Sequence, residues 1–71
     1  MENLRNFRRR KGLSQDAMAR AIGITLSMYE KVETGRANAS SAFMKRLKNA
    51  FPEASIDAIF FARENSNNNA V

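Results

Sequence analysis

The stretch Ala19–Gly35, ARAIGITLSMYEKVETG, carries helical patterning on both sides of a glycine, Gly23. Upstream, Ser14 is a favourable N-cap with Gln15 and Asp16 in the first turn, where an acid suits the helix dipole. Met18, Ala19 and Ile22 follow at helical spacing. Downstream, Thr25 can cap a second helix with Tyr29 and Val32 three apart, and Thr34–Gly35 stops it. A glycine costs roughly 1 kcal/mol inside a helix, so one rod running through residue 23 is disfavoured. Each flanking helix is only about two turns long and does not hold alone. The two must pack against each other across a sharp turn. Such a turn needs one residue at positive φ, which glycine adopts without a Cβ clash. Ala19 is small enough to let the helices approach, while Ile22 and Ile24 flank the turn and point into one core.

Gly23 therefore predicts a helix-turn-helix, and the rest of the chain supplies short helices around it. Asn3 to Lys11 puts Leu4, Phe7 and Arg8 on one face, with Arg5, Arg9 and Arg10 falling away from it, and Gly12 ends the segment. RANAS (36–40) reads as a loop. Ser40 or Ser41 caps a fourth helix with Phe43, Met44, Leu47, Ala50 and Phe51 inward, and Pro52 forbids its continuation. Ser55 caps a short fifth helix with Asp57 in its first turn and Ile56, Ile59 and Phe60 as its apolar face. No segment alternates as a strand does. The expected fold is all-α: a five-helix domain over 1–62, followed by a polar, low-complexity tail over 63–71 that is expected to be disordered. The predicted core is Leu4, Phe7, Leu13, Met18, Ile22, Ile24, Tyr29, Val32, Phe43, Leu47, Phe51, Ile56 and Ile59. Phe60 and Phe61 are adjacent and cannot both point inward from one helix, so one is expected at the surface, where it can meet a dimer partner.

Composition narrows the function classes. The 71 residues contain no Cys and no His, which removes disulfides, thiolate ligands, the commonest metal ligand and the usual general base. There is no carboxylate cluster and no glycine-rich phosphate loop, so no enzyme, cofactor, metal or small-molecule substrate is expected. MENLRNFRRRKG has no apolar core of a secretory signal, and the longest apolar run, AIFFA (58–62), is far too short to span a bilayer. A cytoplasmic location away from membranes is the expectation. The net charge is +5, and residues 1–48 hold eleven Lys or Arg against four acids. That part attracts a polyanion, without distinguishing nucleic acid from an anionic surface.

Counted from Gln15 as one, Ala19 is fifth, Gly23 ninth, Tyr29 fifteenth and Val32 eighteenth. This spacing resembles the helix-turn-helix of the phage Cro/repressor-type (Xre-like) family, with its Gln, small Ala, turn Gly and two apolar anchors. LRNFRRRKGLSQ looks like that family's first helix and entry, VETG like its I-E-N-G exit, and SIDAIF like its closing S-L-D-E-L-F; together these cover Leu4 to Phe60. The resemblance implies that the third helix enters the major groove with its N-terminal residues at base edges. Thr25, Leu26, Ser27, Met28 and Lys31 are the candidate base contacts. Ser27 and Lys31 can hydrogen-bond, whereas Leu26 or Met28 can touch a thymine methyl. Gln15 matches a phosphate-binding position at a helix N-terminus, and Arg36, Asn38, Lys45 and Arg46 are further phosphate candidates. Arg8 and Glu33 match a partly buried ion pair tying the first helix to the third.

These positions suit a small dimeric regulator binding double-stranded DNA. Leu26 and Met28 depart from the bidentate side chains expected there and suit a protein surface equally well. An antirepressor that binds a heterologous repressor through the same helix is the alternative. An antitoxin role is a third.

Overall fold

The computed structural model describes residues 2–61. It is all-helical, with no strand among the described residues: α1 (Leu4–Arg10), α2 (Gln15–Ile22), α3 (Leu26–Glu33), α4 (Ser41–Ala50) and a single-turn α5 (Asp57–Phe61). The tail assigned to 63–71 lies outside the described residues.

Each long helix begins with a side-chain cap. The Asn3, Ser14, Thr25 and Ser40 side chains accept from the backbone N–H three residues on, at 2.8–3.1 Å. Such caps stabilise by about 1 kcal/mol each, which matters for helices too short to persist alone. α2 packs on both α3 and α4, and α5 closes against α1. The centre of the core is Tyr29, Phe7, Met18 and Leu47, surrounded by Leu4, Ala19, Ile22, Phe43, Ala54 and Ile59. Burying one such large side chain contributes about 1.5–3 kcal/mol. Phe43 links the aromatic layer, stacked on Tyr29 at 6.2 Å and edge-on to Phe60 at 6.1 Å.

Leu13, Ile24, Val32, Phe51 and Ile56, predicted as core, form its half-buried rim. Ala50, the last residue of α4, is exposed rather than inward. Ala54, in the connection after Pro52, is buried in its place. The Lys48 ammonium reaches forward to donate to the Ala54 carbonyl at 2.8 Å and holds that connection down.

The fifth helix is a π-turn, not an α-helix. Its wider i→i+5 geometry corrects the expectation that one of Phe60 and Phe61 is exposed. Both are half-buried, Phe60 against Phe43 and Phe61 on the wall of a groove of about 580 Å³ shared with Leu4, Val32, Ala39 and Met44.

Candidate nucleic-acid interface

The turn between α2 and α3 is built on Gly23, which sits at φ +82° and ψ +34°. Its N–H donates to Arg20 O at 3.2 Å and Ala19 O at 2.9 Å, and Ile24 N–H donates to Ala19 O at 3.0 Å. This is the Schellman pairing that closes a helix end through one left-handed residue. Arg46, reaching across from α4, donates from Nη1 to Gly23 O at 3.3 Å. A Cβ added to Gly23 would stand 2.9 Å from that same nitrogen.

The far end of α3 is anchored by Glu33, whose side chain has no solvent exposure. Arg8 grips its carboxylate with two bonds, Nε to Oε2 and Nη2 to Oε1, both at 3.0 Å. Arg8 also donates from Nη1 to Leu13 O at 2.9 Å. Gln15 Nε2 donates to Oε1 at 3.2 Å, and Arg5 Nε lies 3.4 Å from it. One carboxylate thus joins α1, the start of α2 and the end of α3, and Arg8 carries the cluster on to the α1–α2 connection. Burial opposes its charge, but Arg8 first, then the neighbouring Tyr29 hydroxyl and the Gln15 amide, outweigh burial and hold the carboxyl down at about 2. The same contacts push the Arg8 guanidinium up, led by its bond to Glu33. The Tyr29 hydroxyl is buried beside the pair, near enough to feel both charges but outside hydrogen-bonding geometry with either. Burial is the main cause that raises its own ionisation well above the ordinary tyrosine range.

Between these two anchors α3 turns its outer face to solvent. Thr25, Leu26, Ser27, Met28 and Lys31 are all exposed, and Leu26 and Met28, at 38% and 46%, are the large apolar side chains left uncovered among the described residues. The Thr25 hydroxyl caps α3 by accepting from Met28 N–H at 3.1 Å, which leaves its own O–H able to donate. Met28 lines an apolar groove of about 220 Å³ between α3 and α4, with Ile24, Val32 and Phe43. Glu30 is half-buried.

Most acids are occupied inside the molecule. Glu2 pairs with Arg10, Glu53 with Lys11, Asp16 with Arg20 at 3.2 Å, and Glu33 with Arg8 and Arg5. Lys31, Arg36, Lys45 and Arg46 have no carboxylate partner among the described residues; Arg36 contacts Thr34 Oγ1 at 3.4 Å. Lys31 and Arg36 are exposed on and just after α3, and Arg46 borders the groove beside Met28, while the half-buried Glu30 of α3 is likewise in no ion pair among the described residues. Asn38 is exposed in the loop after α3 and borders both grooves.

Two contacts lie outside the sequence reading. Arg5, assigned away from the α1 packing face, reaches Glu33, and the signal was present in its i, i+3 spacing from Arg8. The Gln15 amide is half-buried and turned inward to Glu33 instead of standing free at the α2 N-terminus. Among the described residues no group of acids is placed to hold a metal ion, and no helix is long and apolar enough to cross a membrane.

A family model described as a helix-turn-helix domain matches residues 2–51, spanning α1 to the end of α4. No curated protein and no solved structure matches the chain.

Proposed function

The chain belongs to the helix-turn-helix domain family, and from that premise we propose that it is a small cytoplasmic transcriptional regulator, of the Cro or repressor kind found in phages and prophages, acting on operator DNA without catalysis. The observation that supports this reading most strongly is the outer face of α3. Thr25, Leu26, Ser27, Met28 and Lys31 are exposed on it, Arg36 follows it and Arg46 borders the groove beside Met28, and none of these three cations is in an ion pair among the described residues. In this reading Ser27, Lys31 and Leu26 meet base edges. Arg36, Asn38, Lys45 and Arg46 meet phosphate, and Gln15 contributes through whatever donor capacity its bond to Glu33 leaves. The protein acts as a homodimer through the Phe60–Phe61 end, on half-sites about 34 Å apart. A gel shift at low salt, with the DNA upstream of its own gene, tests the proposal. A retarded complex that weakens steeply with salt is expected, and the absence of any complex overturns the reading.

A second reading is favoured by the uncovered Leu26 and Met28 and by the apolar groove beside Met28. In it the same helix masks the DNA surface of a heterologous repressor. Mixing the protein with the regulator encoded beside it, followed by size exclusion, discriminates the two. A complex lost on Met28→Glu favours the masking role.

A further inference from the structure

The side of the molecule that α3 exposes carries both a cleft and a plug of matching chemistry. The cleft is the groove of about 220 Å³ between α3 and α4. Met28, Ile24, Val32 and Phe43 give it apolar walls, and among the described residues Arg46 is the charged one that lines it. Arg46 is exposed and in no ion pair among those residues. It donates from Nη1 to Gly23 O at 3.3 Å, which leaves most of its guanidinium fork for an anion. The plug is Leu26, 38% exposed and on no wall of that groove. One helical turn after it stands Glu30, half-buried and also in no ion pair among the described residues. The groove calls for an apolar side chain with a carboxylate beside it, and α3 itself presents that pair.

We propose that two copies of this chain associate face to face through α3, each setting Leu26 into the other's groove and Glu30 against the other's Arg46. A two-fold axis makes the contact self-complementary, so both crossings form at once. It is separate from the contact proposed at the Phe60–Phe61 end and needs no DNA. It covers the face that the DNA reading uses, so pairing and DNA compete. One helix face per protomer is a small contact, which places the association in the weak, transient class.

The full chain, carbon-13 labelled at its methyl groups, is diluted from about 1 mM to about 10 μM. The Leu26 and Met28 methyl resonances should move along one binding curve. Glu30→Arg or Arg46→Glu alone should raise its dissociation constant at least about tenfold, because like charges then face each other. Mixing the two variants should restore the wild-type curve, since in the mixed pair both crossings again set an arginine against a glutamate. Leu26→Ala should weaken the pair about tenfold by removing the plug. The proposal is overturned if the Leu26 and Met28 resonances do not move with concentration, or if shifts are confined to Ile59 at the Phe60–Phe61 end. It is equally overturned if either reversal alone leaves the curve in place, or if the mixture stays as weak as its components.

Discussion

Removing the Glu33 carboxylate is the perturbation whose size the structure fixes best. The group ionises at about 2 in the fold against an ordinary 4.5, a difference corresponding to roughly 3 kcal/mol of native-state preference for the charged form. Stripping one partner from a buried ion pair costs about 3–5 kcal/mol by a separate route, because Arg8 is left charged with its countercharge gone. A chain of 71 residues has only roughly 4–10 kcal/mol in total, so Glu33→Ala should remove much of it. The melting temperature should fall by roughly 20–35 °C at neutral pH. Glu33→Gln, which keeps the shape and an acceptor for Arg8, should fall less and stay measurable. The folded ionisation lies below the unfolded one, so the stabilisation is complete above about pH 4.5 and drains away as pH falls toward 2. Far-UV circular dichroism melts between neutral pH and pH 2 should therefore show the wild type converging on Glu33→Gln at the acid end. A pH-independent gap between the two, or a Glu33→Ala melt within about 3 °C of wild type, would refute the claim that this carboxylate fastens α1 to α3.

Gly23→Ala should cost about 1–2 kcal/mol through its left-handed φ of +82°; a chemical denaturation midpoint unchanged from wild type counts against the turn. Adding Arg46→Ala should recover almost none of that loss, since the guanidinium 2.9 Å from the new Cβ is the movable end of a flexible chain. Tyr29→Phe removes a buried hydroxyl that has no bond to lose. Because that hydroxyl also helps hold the Glu33 carboxyl charged, thermal denaturation should show a small loss, below about 1 kcal/mol, and a larger drop would mean the hydroxyl is hydrogen-bonded to the ion pair. Lys31→Ala and Arg36→Ala should each reduce the salt slope of DNA binding by about one if the cation meets phosphate. An unchanged slope for either removes that residue from the interface.

Local chemistry made much of this fold readable. Ser14, Thr25 and Ser40 announce helix starts through hydroxyls that satisfy backbone N–H groups three residues on, and Gly23 announces a left-handed turn; both are short-range properties of the chain. The placement of Arg8 against Glu33 came from the resemblance and not from periodicity. Its full extent spans 28 residues to Arg5, whose i, i+3 spacing from Arg8 signalled it, and 18 to Gln15, for which no local signal exists. Ala54 carries no periodic signal, since it is buried by the path of a connection rather than by the face of a helix. The π-turn at Asp57–Phe61 was hidden for a related reason: its apolar residues satisfy α-helical spacing, and docking against α1 and Phe43 selects the wider turn.

Both guanidiniums on Glu33 come from α1. A peptide cut down to residues 15–33, the two helices and their turn, would keep the whole outer face of α3 yet strand a carboxylate designed for the interior. The smallest autonomous reader of a duplex in this molecule must therefore begin at its first helix, whose contribution is to neutralise a buried charge at the back of the probe rather than to touch the target.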